Sequence, residues 1–282
     1  MNPCIDAHHH LWRYNAAEYG WIGEEMRPLR RDFLPPDLYP VMQSAGVRAT
    51  VCVQARQTLE ETETLLRFAT EHEWIAGVVG WAPIASQDFS AQLESLLRHA
   101  KLKGLRHVLQ DEAHPAFALR PDFERGLHAM RGTGLVYDIL IYAPQLPVAI
   151  QLVDRHPEQA FVLDHLAKPS IAAGELSPWR EDLRELARRP NVWCKLSGMV
   201  TEADWRQWTP DDLRPYLDVA LETFGPRRLL AGSDWPVCTL ASSYLQWWQV
   251  LRAWAANLSL AEQEAIFVRN AADVYRLETL AE

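Results

Sequence analysis

The sequence predicts one α/β domain over residues 1–282, a (β/α)₈ TIM barrel whose long first βα loop acts as a lid. Three observations predict this fold. Eight short apolar runs alternate with amphipathic stretches, no glycine-rich loop follows the first run, and polar residues collect where the runs end. A chain of 282 residues has the length at which such a barrel forms a single domain.

The eight apolar runs have the composition of buried parallel strands. They are short and rich in β-branched and aromatic residues, as strands covered on both faces are. The predicted strands are 4–8, 49–54, 75–81, 104–109, 135–140, 160–164, 192–196 and 228–232. Their alternation with helices requires a parallel sheet, and eight such units close into a barrel. The rival architecture, an open doubly wound sheet, would place a glycine-rich loop after the first strand.

The stretches between the strands are predicted to be helices, because apolar residues three or four positions apart form one stripe on each. The predicted helices are 57–72, 88–101, 121–132, 145–156, 179–189 and 211–224, followed by a helical C-terminal segment, 242–277. Residues 12–40 form a longer connection rich in proline, arginine and aromatic residues. We interpret this connection as an ordered lid over the mouth of the barrel.

Charge and cysteine content argue against several classes of partner and compartment. The formal net charge is −9 and the basic residues are scattered, so neither nucleic acid nor an anionic membrane is an expected partner. The first residues lack the basic start and apolar core of a signal peptide, and no apolar run reaches the length of a membrane span. Four widely spaced cysteines are typical of buried thiols in a reducing compartment. We expect a cytoplasmic protein that could form a homo-oligomer.

The first and last strands end in residues that can form one site. A strand has a period of two, so His8 and His10 are expected to face the same side as Asp6. His9 is expected to point outward, toward the helices. Strand eight ends in Gly-Ser-Asp-Trp-Pro, where the buried carboxylate of Asp234 needs a cation or a donor. Strands one and eight are neighbours in a closed barrel, so Asp234 is expected beside the two imidazoles. A helix N-cap is the alternative role for Asp234.

Four further strands also end in polar residues. Strand six continues into Asp-His-Leu-Ala-Lys-Pro, which makes His165 a third candidate imidazole. The other candidates are Arg106, His107 and Gln110 around strand four, Asp138 and Tyr142 around strand five, Lys168 after strand six and Lys195 in strand seven. A lone residue of this kind is often a satisfied core residue. Six strand ends with such residues favour an active site.

These residue types suit the hydrolysis of an ester. Asp234 can take the proton of an attacking water. His107, Arg106 or Lys195 could hold the developing oxyanion. One divalent metal, with zinc preferred for imidazole and carboxylate ligands, could activate the water and the carbonyl. Its predicted ligands are His8, His10, His165 and Asp234. The same residues could also activate water without a metal.

Residues near these motifs are predicted to bind the substrate. Trp12 and Trp235 could stack on the apolar face of a sugar ring, although aromatic residues are also common in cores. The polar side chains predicted to contact the substrate are Arg106, Gln110, Asp138, Tyr142, Lys168 and Lys195.

Taken together, the motifs resemble a known family. Residues 5–12 resemble the D-x-H-x-H-x-W start of the amidohydrolase-related (amidohydrolase 2) proteins. Residues 104–111, 163–169, 195–198 and 232–236 are similar to its sugar lactonase branch, which holds L-fuconolactonase and L-rhamnonolactonase. Five motifs in order, from residue 5 to about residue 240, form a specific signal.

The resemblance implies a (β/α)₈ fold and hydrolysis of a small sugar lactone. It implies that Asp234 is the general base and that His107 stands at the strand-four histidine of the family. It also implies that three imidazoles surround the reaction centre, those of His8, His10 and His165. Binuclear members of the superfamily carry a bridging carboxylated lysine on strand four, where this chain has Arg106 and His107. This departure favours one metal over two.

Three functions compete at this stage. The first is a lactonase acting on an aldonolactone such as L-fuconolactone. The second is a metal-dependent decarboxylase or amide hydrolase with a similar site. The third is a catalytically inactive barrel used for sugar binding or for assembly.

Overall fold

The computed structural model describes residues 4–278, so residues 1–3 and 279–282 of the predicted domain lie outside the described residues. Eight parallel strands form one sheet in sequence order. They are β1 (Cys4–His9), β2 (Val47–Val53), β3 (Ile75–Gly80), β4 (Leu102–Val108), β5 (Val136–Leu140), β6 (Phe161–Leu163), β7 (Val192–Leu196) and β8 (Leu229–Ala231). Each overlaps a predicted strand, and the (β/α)₈ barrel is confirmed.

A helix follows every strand. These helices are α1 (Pro35–Ser44), α2 (Leu59–Glu71), α3 (Phe89–Leu96), α4 (Pro121–Met130), α5 (Leu146–Arg155), α6 (Trp179–Ala187), α7 (Pro210–Phe224) and α8 (Tyr244–Ala255). The chain continues with α9 (Leu260–Glu264), a π-helical turn (Ala265–Arg269) and α10 (Asn270–Val274). The predicted helical segment 242–277 is therefore interrupted between α8 and α9. Within residues 4–278, none of the helices is both long and apolar enough to span a membrane.

The first βα connection is shorter than predicted, because helix α1 begins at Pro35 and not after residue 40. Proline fits the first positions of a helix, where its missing N–H has no partner to lose. The Asp37 carboxylate accepts a hydrogen bond from the backbone N–H of Leu34 at 2.9 Å and caps the new helix. An antiparallel bridge between Trp12 and Phe33 joins the two ends of the remaining loop. We call residues 11–34 the first loop.

Inward-facing apolar side chains and helix α10 fill the barrel interior. This inner layer includes Ile5, Val51, Val136, Val162, Leu230, Val274 and Tyr275. Polar residues replace this apolar layer toward the carboxyl ends of the strands, where β5, β6 and β7 contribute Asp138, Asp164 and Lys195, all fully buried. The change from apolar to charged side chains along the barrel axis marks the face that carries the candidate site.

Candidate active site

Backbone hydrogen bonds bring the segment after β8 against β1. The N–H of Asp234 donates to the carbonyl of His8 at 2.8 Å, and the N–H of His10 donates to the carbonyl of Trp235 at 2.6 Å. Asp234 Oδ1 then lies 3.3 Å from His10 Nε2 and 3.7 Å from His8 Nε2. The structure therefore places this carboxylate beside the two imidazoles, as the strand order predicted.

Asp6 does not share the face of His8, contrary to the sequence prediction. The β1–β2 register shifts between Asp6 and His9, which breaks the simple period of two. The carboxylate of Asp6 accepts hydrogen bonds from Ser233 N (2.8 Å), Ser233 Oγ (2.6 Å) and Tyr244 OH (2.9 Å). Asp6 thus connects β1 to the segment after β8 and to helix α8. His9 points outward as predicted and contacts Thr50 Oγ1 at 2.8 Å.

A left-handed turn after β6 carries the third imidazole. His165, Leu166, Ala167 and Lys168 all have positive φ, between 51° and 57°. Each such residue costs about 1–2 kcal/mol because its Cβ approaches the following carbonyl oxygen, and backbone strain of this kind concentrates at functional sites. The turn places His165 Nε2 at 3.9 Å from Asp234 Oδ1. Asp234 is itself left-handed, with φ of 59°.

Neighbouring residues hold this turn in place. Trp179 Nε1 donates to the carbonyl of Leu166 at 2.7 Å, and His165 Nδ1 lies 2.9 Å from Ser197 Oγ. The His165 ring packs against the backbone of Gly198, where a Cβ would come within 2.5 Å of Nδ1. Gly198 also has a φ of +65°, so only glycine satisfies both the conformation and the close approach.

The donor atoms of His8, His10 and Asp234 fit a single metal ion. Ligands about 2.1 Å from a tetrahedral zinc ion lie roughly 3.3 Å apart. The two Nε2 atoms are 3.2 Å apart, and Asp234 Oδ1 is 3.3 and 3.7 Å from them. His10 Nδ1 donates to the carbonyl of Val53 at 2.8 Å, which leaves the Nε2 lone pair for a ligand. Together these three residues could hold a metal.

A second group, His8, Asp164 and His165, also meets the spacing of a metal site. However, Asp164 is already paired with Arg106 at 2.8 Å and with Lys195 at 2.9 Å. The first group is the better candidate, because its carboxylate has no Lys or Arg nitrogen within 4 Å among residues 4–278.

Asp138 and Lys195 lie beneath the site and not on its wall. Lys195 Nζ is 2.5 Å from Asp138 Oδ2, and Tyr275 OH donates to both Asp138 oxygens at 2.9 Å. Lys195 Nζ also lies 3.1 Å from His8 Nδ1. Both charged side chains are fully buried. The prediction that they bind the substrate is therefore corrected: their contacts orient His8 from below.

Burial sets the protonation states of the site. It lowers the pKa of His165 to about 4, and it lowers the pKa of His8 well below 6.5, with the Lys195 ammonium adding to the effect. Both imidazoles are therefore neutral at pH 7. Burial opposes ionisation of Asp234, but His165, His10 and Lys168 together hold its pKa below the ordinary value. The site thus combines the ionised carboxylate of Asp234 with the neutral imidazoles of His8 and His165.

A cavity of about 740 Å³ is lined by the site and by the loops around it. This volume lies within the usual range for small-molecule sites. The predicted residues on its wall are His10, Arg106, Gln110, Tyr142, His165, Lys168 and Asp234. The first loop contributes Glu18, Gly20, Trp21 and Met26. The loop thus forms part of the cavity wall.

Trp12 and Trp235 do not line this cavity, contrary to the prediction that they stack on the substrate. They are 2% and 4% exposed, respectively. Both pack edge-on against Phe33, and Trp12 Nε1 donates to the carbonyl of Arg31 at 2.9 Å. Their burial anchors the first loop to the barrel. The aromatic side chains that do line the cavity are Trp21, Tyr142 and Trp205.

His107 also lies away from the cavity, so its prediction as a catalytic residue is corrected. Successive strand residues face opposite sides, and Arg106 takes the inward position on β4. The His107 ring stacks on Phe117 with centroids 5.1 Å apart, and Nε2 lies 2.6 Å from Glu112 Oε1. Its contacts are with the helical layer and not with Asp234.

Sequence reasoning missed several residues on the cavity wall. They are Trp21 and Arg56, on the first two βα loops, and Thr201, Glu202 and Trp205, after β7. Burial raises the pKa of Glu202, whereas the nearby Lys168 lowers it. Thr201 ends a short 3₁₀ turn (Met199–Thr201), and the other four lie in loops whose course follows no helix or strand period. The position of residues 197–211 after a predicted strand was the available signal.

Comparisons with known proteins found relatives that match nearly the whole chain. The amidohydrolase family (Amidohydro_2) matches residues 5–277. An L-fucono-1,5-lactonase from Burkholderia multivorans (strain ATCC 17616 / 249) is 45% identical over 284 residues, covering 97% of this chain and 96% of that protein. An L-fucono-1,5-lactonase from Burkholderia ambifaria is 38% identical over 281 residues, with 97% and 96% covered.

A solved structure is also similar over nearly the whole chain. The crystal structure of an amidohydrolase from Burkholderia multivorans with bound zinc superposes with a TM-score of 0.95 and 43% identity. The match covers 98% of this chain and 99% of that one.

Proposed function

Since this chain belongs to the amidohydrolase family, as its motifs predicted, we propose that it is a hydrolase that opens the ester ring of a small sugar lactone. L-Fucono-1,5-lactone is the first candidate substrate, because two relatives of 45% and 38% identity carry that activity in their names. The observation that carries the proposal is the Asp234 carboxylate, 3.3–3.9 Å from three imidazoles beside a cavity of about 740 Å³.

Asp234 acts as the general base in this proposal. Its Oδ1 approaches the imidazoles, which leaves Oδ2 to accept a proton from the attacking water. The water oxygen forms a bond to the carbonyl carbon, and the bond from that carbon to the ring oxygen then breaks. The proton held by Asp234 passes to the ring oxygen, so the product is the open-chain sugar acid. The lowered pKa of Asp234 keeps the base ionised at neutral pH.

A divalent ion, with zinc as the first choice, is part of the proposal. Its ligands are His8, His10 and Asp234, with His165, 3.9 Å from Asp234, as the fourth, and the relative with bound zinc supports the choice of metal. When bound, such an ion polarises the lactone carbonyl as a Lewis acid. Arg106 lies on the cavity wall with Nη1 3.4 Å from His8 Nε2, where its guanidinium can hydrogen-bond the carbonyl oxygen.

Residues farther along the wall bind the sugar hydroxyls. Gln110 and Tyr142 present an amide and a phenol to the cavity. Trp21, with 38% of its surface exposed, offers an aromatic face for the apolar side of the ring. The first loop, which carries Trp21, acts as a lid over the bound substrate.

A panel of aldonolactones with a pH indicator tests the reaction. We expect acid release from L-fucono-1,5-lactone and slower release from stereoisomers whose hydroxyls point elsewhere. No acid release from any aldonolactone would contradict the proposal and favour the decarboxylase or amide hydrolase alternative, which carbon dioxide or ammonia release would then detect.

Metal analysis of the purified protein tests the cofactor. We expect about one zinc ion per chain and loss of activity on chelation, with recovery when zinc is returned. The His8→Ala and His10→Ala variants should retain the fold by circular dichroism but bind less zinc. Full activity in a protein stripped of metal would support the metal-independent alternative.

We also expect one catalytic domain and a cytoplasmic location, and the protein could form a homo-oligomer. Light scattering of the purified chain tests the oligomer directly.

A further inference from the structure

Three cationic side chains line the cavity, and two of them are already paired. Arg56 forms ion pairs with Glu18 and, at 3.6 Å, with Glu60. Arg106 pairs with Asp164 at 2.8 Å. Lys168 Nζ differs, because within residues 4–278 it has no carboxylate oxygen within 4 Å and no hydrogen bond. Its ammonium group is therefore available to a ligand in the cavity.

The fold holds this ammonium beside the reaction centre. Lys168 ends the left-handed turn that begins at His165, so the two side chains are fixed by the same strained backbone. Its Nζ lies 5.2 Å from the centroid of the Tyr142 ring. Lys168 lines the same cavity as Asp234 and Glu202, and its charge lowers the pKa of both carboxyl groups.

Ring opening develops negative charge in two places. The first is the carbonyl oxygen, which Arg106 and a bound metal ion can stabilise in the proposed function. The second is the ring oxygen, which becomes an alkoxide as its bond to the carbonyl carbon breaks. Asp234, protonated once water has attacked, can return a proton to that oxygen, but this neutral acid group brings no positive charge to stabilise the alkoxide. A positive hydrogen-bond donor beside the ring oxygen would do so.

We propose that Lys168 is a catalytic residue that donates a hydrogen bond to the ring oxygen of the lactone while the carbon–oxygen bond breaks. This inference rests on the proposed lactonase function. Lys168 keeps its protons throughout: water supplies the hydroxyl group of the new acid, and the proton that water loses reaches the ring oxygen through Asp234. The role differs from binding a sugar hydroxyl, because it acts on kcat more than on KM.

The test changes the basicity of the leaving alkoxide and compares, for each lactone, the variant with the unaltered enzyme. In L-fucono-1,5-lactone a methyl group is attached to the carbon that bears the ring oxygen. The analogue with a trifluoromethyl group at this position releases a far less basic alkoxide. For Lys168→Met we expect kcat for the natural lactone to fall on the order of 10²-fold. For the trifluoromethyl lactone the loss should stay below about 10-fold, because a less basic alkoxide needs less stabilisation. Lys168→Arg, which keeps the cation, should recover part of the loss.

Lys103→Met is the matched control, since Lys103 donates to the carbonyl of Arg276 at 3.1 Å, remote from the cavity. Circular dichroism and thermal melting check the fold of each variant. Equal losses of kcat for the two lactones, or an effect confined to KM, would overturn the role of Lys168 while leaving the lactonase function intact. Absence of turnover of both lactones by the unaltered enzyme would contradict the proposed function and this inference with it.

Discussion

Asp234 and Asp6 show how position decides what a buried carboxylate does. Both lie at the junction of β1 with the segment after β8, and both are nearly inaccessible to solvent. Asp234 meets imidazoles, and its pKa is lowered in spite of burial. Asp6 meets only neutral donors, and burial raises its pKa to about 6. The first is therefore suited to act as a base, and the second to hold two segments together.

Replacing Asp234 by asparagine tests the base. Asp234→Asn keeps the size of the side chain but removes its ability to take a proton. We expect kcat for L-fucono-1,5-lactone to fall on the order of 10³-fold or more. Asp111→Asn, which changes an exposed carboxylate on the same cavity, should alter kcat by less than about threefold. A kcat for Asp234→Asn close to that of the unaltered enzyme would remove this residue from the mechanism.

The raised pKa of Asp6 predicts a stability that depends on pH. The pKa of Asp6 is about 6 in the folded state and has the ordinary value of 3.8 in the unfolded state. Between pH 3.8 and 6 the folded state therefore binds more protons than the unfolded state. The free energy of unfolding should therefore fall as pH rises through this window, by on the order of 3 kcal/mol from this group. Urea unfolding at pH 4.5 and 7.5 measures the change. Asp6→Asn should show a smaller decrease than the unaltered protein, and identical decreases would contradict the assignment.

At the scale of elements, the turn after β6 and the loop after β7 form one unit. The ring of His165 rests on Gly198, so the conformation of one loop fixes a side chain of the other. Gly174 provides a comparison, because it has a similar φ of +68° but open space where a Cβ would point. Alanine at Gly174 therefore introduces only the strain of a left-handed backbone, whereas alanine at Gly198 introduces this strain and also displaces the His165 imidazole.

Alanine at these two positions tests the unit. Gly198→Ala and Gly174→Ala should each lower the free energy of unfolding by about 1 kcal/mol or more, because alanine is strained at positive φ. Only Gly198→Ala should also reduce kcat, since its Cβ would come 2.5 Å from His165 Nδ1. Thermal melting and lactone turnover measure the two effects. Equal kcat values for the two variants would show that Gly198 does not position His165.

The elements also show what a sequence can predict. The strands can be predicted as apolar runs, because a strand that is buried on both faces consists mainly of apolar residues. Helix α1 was missed, since Pro40 inside it is typical of an irregular chain. The direction of single side chains was harder to predict. Trp12 lies next to a site motif yet packs into the first loop, and the register shift in β1 turns Asp6 away from His8. Glu202 lies in a loop, where no periodicity gives its direction.

At the scale of the whole molecule, one buried network of charges connects five strands. His8 comes from β1, Arg106 from β4, Asp138 from β5 and Lys195 from β7, and Asp164 directly follows β6. Each carboxylate in this network has a cationic partner within 3 Å, and His8 lies 3.4 Å from Asp164. Removal of one partner from such a network leaves another charge buried without compensation.

Lys195→Met tests this network. The methionine fills a similar volume but leaves two carboxylates facing each other in the barrel interior, so the free energy of unfolding should fall by about 3–5 kcal/mol. Lys101→Met serves as the control, because Lys101 makes one hydrogen bond to a backbone carbonyl. This substitution should lower the free energy of unfolding by less than about 1 kcal/mol. Urea unfolding measures both. A Lys195→Met protein as stable as the control would show that the network does not stabilise the barrel.

The closure of the barrel between β8 and β1 predicts how the protein loses activity on heating. Strand β8 ends at Ala231, and contact with β1 is completed by the backbone of residues 233–235 and by the side chain of Ser233. Asp234, the proposed base, therefore also forms one of the backbone hydrogen bonds that close the barrel. If the pair of backbone hydrogen bonds between β1 and residues 234–235 breaks, the Asp234 carboxylate moves away from the imidazoles while the other seven strand pairings stay intact. We therefore expect activity to be lost at a lower temperature than the one at which the protein unfolds.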